Sequence, residues 1–205
     1  MTRKNLVGTA LAVLTTGLVL AGCGNTDSGG HGATHTTTTA ATTSASAAPS
    51  GDRNDADITF AQGMIPHHEG AIELSKLAQG RTSNPKVLDL AARIEKAQDP
   101  EIKTMTAWLA AWGAPPASGE HDGHGSSAAG MMTAEEMEKL KQAKDADFDK
   151  LFLEGMVKHH QGAIDMSKTE LQQGVNADAK KLAQQIIDAQ QKEIDEMNAL
   201  LKAGS

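Results

Sequence analysis

Twenty residues of this chain are written twice. Residues 57–76 read DITFAQGMIPHHEGAIELSK and residues 149–168 read DKLFLEGMVKHHQGAIDMSK, an offset of 92. Each copy sets a methionine three residues before a His-His pair: Met64 before His67 and His68, Met156 before His159 and His160. The correspondence continues at the same offset through Asn84/Asn176, Leu90/Leu182, Ile94/Ile186, Gln98/Gln190, Glu101/Glu193, Ile102/Ile194 and Met105/Met197. Two copies of one unit are expected to pack around a pseudo-twofold axis. Four imidazoles and two thioethers would then converge, which is a soft-to-borderline metal site in outline.

The apolar spacing within each copy is helical. Phe60, Met64, His67, Ala71, Leu74 and Ala78 recur every three or four residues, as do Phe152, Met156, His159, Ala163 and Met166. Pro66 interrupts the first run where Lys158 stands in the second, so a kink is expected beside the histidines. A second helix in each copy is marked by Val87, Ala91, Ile94, Gln98, Ile102, Met105 and Leu109, and by Ala179, Leu182, Ile186, Gln190, Ile194, Met197 and Leu201. Turns around Gly80–Asn84 and Gly174–Asn176 join the helices, and no stretch alternates with period two. The expected fold is all-α: a four-helix bundle built from two repeated helical hairpins, residues 55–112 and 147–205, forming one domain. The linker between them, residues 113–146, is rich in Gly, Pro, Ser and Ala, and Thr133-Ala134-Glu135-Glu136 reads as a capping box opening a short helix.

The first 22 residues read as a lipoprotein signal peptide. Arg3 and Lys4 precede an apolar run, Leu6 to Leu20, too short for a comfortable membrane span, and Leu20-Ala21-Gly22-Cys23 resembles a bacterial lipobox. Cys23 is the single cysteine of the chain and the expected lipidation site. No intramolecular disulfide is possible, and once Cys23 is lipidated no thiolate is left for a metal. Residues 23–54 hold hardly any large apolar side chain and read as a disordered tether, with His31 and His35 as solvated members of it. Loss of residues 1–22 removes two basic and no acidic side chains, taking the net charge from -7 to -9. Such a surface argues against nucleic acid as a partner. The expected location is the extracytoplasmic face of the membrane, lipid-anchored.

In a helix, Met64 lies beside His67 and His68, and the two adjacent rings diverge by about 100°. One can face the bundle interior and the other a neighbouring helix or a second ligand set. The bland reading makes these histidines hydrogen-bonded core or surface residues. Duplication does not remove that reading, because common descent alone preserves a motif. Gly70-Ala71 and Gly162-Ala163 leave room for a ligand or simply for close helix packing. Met105 and Met197 fit core filling as well as a supporting role, and Glu101 and Glu193 fit flank charges. Gln98 and Gln190 sit on apolar stripes and need partners, which an imidazole N–H would supply. His121, His124, Met131 and Met132 of the linker form an accessory donor set or plain linker.

At these residues the chain resembles a secreted bacterial family, domain of unknown function 305, whose members carry one or two helical hairpins with a Met-x-x-His-His-x-x-Ala-Ile motif. Met64-Ile65-Pro66-His67-His68-Glu69-Gly70-Ala71-Ile72 and Met156-Val157-Lys158-His159-His160-Gln161-Gly162-Ala163-Ile164 match it. The resemblance implies a ferritin-like bundle and, for some members, copper handling outside the cytoplasm. Di-iron bundles set a carboxylate three residues before the imidazole; here that place is held by a thioether, which suits Cu(I) or Ag(I) and is poor for iron. The absence of tyrosine excludes a tyrosyl-radical enzyme. The leading expectation is therefore an envelope lipoprotein that binds or buffers copper, Cu(I) above all. A ferritin-like redox enzyme using Glu101 and Glu193 with the histidines is the alternative, and a nonmetal interaction module the third reading.

Overall fold

Three of the helices begin at an asparagine. The side chain of Asn54 accepts the N–H groups of Ala56 and Asp57, and the Asp57 carboxylate in turn accepts the Asn54 N–H at 2.6 Å. This closed box satisfies donors that a helix start leaves bare and opens α1 (Asp55–Leu77). Asn84 caps α2 (Pro85–Trp112) with Pro at the first helical position, and Asn176 accepts the Asp178 and Ala179 N–H groups at the start of α5 (Ala177–Gly204). Thr133 and Glu136 form the expected capping box of α3 (Ala134–Gln142), and α4 spans Asp145–Gln173. These five helices are the regular elements of a computed structural model that describes residues 51–115 and 130–204. No strand occurs among the described residues, and the expectation of an all-α bundle of two repeated hairpins is met. Cys23, His31, His35, His121 and His124 lie outside them.

Pro66 does not end its helix: α1 runs through it as one element, and α2 likewise carries Pro100. Packing on both sides of Pro66, with Met64, Ile65, His67 and His68 all buried, holds the segment despite one lost backbone bond.

The two hairpins lie antiparallel, joined through α1 and α4. At one end Asn54 Nδ2 donates to the Gln173 carbonyl at 2.8 Å, and the Val175 and Asn176 N–H groups donate to Asp57 Oδ1 at 3.1 and 2.9 Å. At the other end Asn84 Nδ2 donates to Asp149 Oδ2 at 2.8 Å, and the Asp145 N–H to the Arg81 carbonyl at 2.7 Å. Asp57 and Asp149 are equivalent in the two repeats, as are Asn176 and Asn84. Each repeat's first helix thus holds the turn that starts the other's second helix.

The apolar interior is divided. One cluster gathers the C-terminal half of α1, the N-terminal halves of α2 and α4 and the end of α5, around Leu90, Ile94, Phe148, Phe152, Met156 and Met197. The other gathers the opposite halves, around Phe60, Met64, Met105, Leu109 and Ile186. Between them, halfway along all four long helices, lie the buried polar residues His67, His68, Gln98, His159, His160 and Gln190. A polar belt at mid-bundle costs stability that a continuous apolar core would not, so its occupants call for a chemical explanation.

Candidate metal site

The belt is built by register. The His-His pairs fall one turn beyond Met64 and Met156, and the midpoints of α1 and α4 meet because the two helices pack antiparallel. All four imidazoles are buried, none exposed above 2%. Their two halves behave differently. His67 and His159 face one another across the α1–α4 contact, ring centroids 3.9 Å apart and tilted by 52°. His68 and His160 turn to their own hairpin partners: Nε2–H of His68 donates to Glu101 Oε2, and Nε2–H of His160 to Glu193 Oε2, both at 2.7 Å.

Those carboxylates select a tautomer. A neutral imidazole that donates from Nε2 keeps its lone pair on Nδ1. The Nδ1 atoms of His68 and His160 are buried without a hydrogen-bond partner, and so are both ring nitrogens of His159. The expected role of Gln98 differs from what is found. Its amide nitrogen and oxygen both lack partners, while Glu101, one turn further along α2, takes the imidazole N–H. A carboxylate accepts more strongly than an amide, so the ring turns to it.

The thioethers flank the belt. Met64 and Met105 are fully buried in one apolar cluster, Met156 and Met197 in the other. Among the described residues no three His, Cys, Asp or Glu side chains are gathered so as to hold an ion. Across the two repeats the donors that face one another are the imidazoles of His67 and His159. His159 is held well below its usual value of 6.5, first by burial and then by repulsion from charge on His67, His160 and His68. It is neutral at physiological pH and its lone pair is available.

A carboxyl pair outside the belt was not anticipated. Glu170 near the end of α4 is buried, and no N–H or O–H group reaches its oxygens. It meets Asp57, and burial together with that neighbour pushes its pKa up to about 8. Burial opposes the charge on Asp57 as well, but the backbone N–H groups of Asn54, Asn176 and Val175 and the Glu170 proton hold it below its usual value. Asp57 repeats as Asp149, yet Glu170 corresponds to Ala78, so only the break in the repeat marked it.

The profile of the family described as domain of unknown function (DUF305) matches residues 57–201. This chain belongs to that family. It is similar to the crystal structure of a DUF305 protein from Streptomyces coelicolor, 31% identical over 73% of this chain and 93% of that one, with a TM-score of 0.67. It is similar to CopM in the Cu(II)-bound form, 30% identical over 73% of this chain and 97% of CopM, TM-score 0.63; CopM is also known in Cu(I)-bound and Ag-bound forms. An uncharacterized protein of Acanthamoeba polyphaga mimivirus is 47% identical over 53 residues, and the chain spans 35% of that relative's length.

Proposed function

We propose that this protein binds or buffers copper, as Cu(I), on the extracytoplasmic face of the membrane. The site is the mid-bundle belt, with His67 and His159 as the facing pair, His68 and His160 as their neighbours, and Met64 and Met156 as flanking thioethers. The observation that carries this is the set of buried ring nitrogens of His68, His159 and His160 left without hydrogen bonds at the centre of the bundle, His159 being held neutral by its burial. A lone pair with no proton donor in a desolvated interior is costly unless a ligand uses it. CopM, of like fold, is known with Cu(I), Cu(II) and Ag bound. Imidazole and thioether together suit a soft ion. Glu101 and Glu193 would hold the proton on Nε2 and aim Nδ1 of His68 and His160 inward. Met105 and Met197 supply polarizable packing. Attachment to the membrane belongs to the same proposal and rests on Cys23. No described helix is long and apolar enough to cross a membrane.

The contacts of Glu101 and Glu193 with imidazoles favour a second reading, a ferritin-like redox enzyme in which the same carboxylates ligate iron. One titration separates the two. The full-length protein should hold Cu(I) against a competing chelator and bind Fe(II) more weakly. Changing His67, His68, His159 and His160 together to Ala should abolish Cu(I) binding. Affinity should fall on acidification as proton and metal compete for the imidazoles. Equal or tighter Fe(II) binding would replace the buffering reading by the redox one, and binding of neither metal would leave the motif a structural role.

A further inference from the structure

The linker returns to the bundle at the histidines. Gly130 has φ +86°, and a Cβ there would stand 2.3 Å from the Lys158 carbonyl oxygen and 3.1 Å from His159 Cα. Only glycine allows both that conformation and that approach, so the linker's last turn is seated on the backbone that carries His159. The next two side chains go opposite ways. Met132 lies against Gly155, its sulfur 2.9 Å from where a Cβ would be. Met131 lies against Gly70 of α1. The Cβ position of Gly70 is 2.9 Å from Met131 Cε, 3.5 Å from Met131 Sδ and 3.4 Å from His159 Nε2. A thioether sulfur and an unpartnered, buried imidazole nitrogen therefore converge on one small space that the missing side chain of Gly70 leaves.

We propose that Met131 is a metal ligand, a third soft donor that joins the His67/His159 pair from outside the repeats. The proposal rests on the metal-binding reading of the belt and adds to it. The duplication supplies two equivalent imidazoles, whereas the single linker supplies one sulfur at one side, so the centre is asymmetric. Met131 also covers that side, and release of the ion then requires the linker's end to lift. The alternative is that Met131 only fills a gap, as methionine often does. Leucine fills a gap equally well but offers no lone pair, and this difference makes the two roles separable.

The test uses the full-length protein with 13C-methyl-labelled methionine, titrated with Ag(I) as a diamagnetic soft ion and followed by NMR, with Met131→Leu both assigning the Met131 signal and serving as the variant. The Met131 methyl resonance should shift and reach its limit together with the His159 ring signals, and Met131→Leu should weaken Ag(I) binding roughly tenfold, about the effect of losing one modest ligand bond. Met137→Leu on α3 should leave affinity unchanged. Gly70→Ala gives an independent arm: the added methyl occupies the shared space and displaces the flexible end of Met131, so affinity should fall while the helix keeps its stability. A Met131 methyl that stays fixed while His159 responds, or an unchanged affinity in both Met131→Leu and Gly70→Ala, would overturn the assignment and leave the belt's metal site standing. Absence of Ag(I) and Cu(I) binding by the wild type would overturn both.

Discussion

Glu170 shows how one side chain can set a protein's response to pH. In the unfolded chain its carboxyl titrates near 4.5; in the fold it keeps its proton up to about pH 8 because it is buried against Asp57. Between those values the unfolded state releases a proton that the folded state retains, so this group's contribution to stability falls as pH rises from 4.5 to about 8 and is then level. Asp57 acts in the opposite sense: its pKa is depressed, so its contribution is lost as pH falls through the acid range. Glu170→Gln keeps a donor toward Asp57 without a titrating proton. Melting temperatures measured from pH 5 to 9 should decline less for the variant, and the variant should be the more stable protein above pH 8. Parallel curves would mean that Glu170 ionises normally. Nothing in the residue's own sequence neighbourhood announces this behaviour, since it depends on a carboxylate 113 positions away that only the α1–α4 contact brings near.

The helices are more legible than their contacts. Asn54, Asn84 and Thr133 are side chains that hydrogen-bond to backbone N–H groups within three residues, so their capping role is local and can be read from spacing. Asn54 does a second job that spacing does not reveal: its amide donates to the Gln173 carbonyl and ties the start of α1 to the end of α4. Asn54→Ala should therefore cost about 1–2 kcal/mol in urea unfolding, a capping loss with a cross-repeat bond added to it. Asn54→Asp retains the cap but not the amide donor, and should recover most of that stability. A full recovery would show that the link to Gln173 contributes nothing. Pro66 is the converse case. It reads locally as the loss of one backbone bond and a kink, and α1 continues through it as one helix with buried neighbours on both sides.

At the scale of the whole molecule, the polar belt costs stability that a continuous apolar core would not. Gln98 is buried, and both ends of its amide are without partners. Gln98→Leu should therefore stabilise the metal-free protein by about 1 kcal/mol, as relief of unsatisfied polar groups predicts, seen as a higher urea midpoint with unchanged slope. A lower midpoint would show that the amide is structurally engaged and that the belt holds the bundle together. The sequence alone determined the duplication, the helices, the cap at Thr133 and the placing of His67 and His159 on buried faces, because periodicity and capping act over three or four residues. Which imidazoles meet was decided by tertiary structure. The antiparallel docking of α1 on α4 sets His67 against His159, packing within each hairpin turns His68 toward Glu101 and His160 toward Glu193, and the return of the linker places Met131 at Gly70. Those contacts join residues far apart in the chain, and their geometry follows from how whole helices pack, which no local pattern encodes.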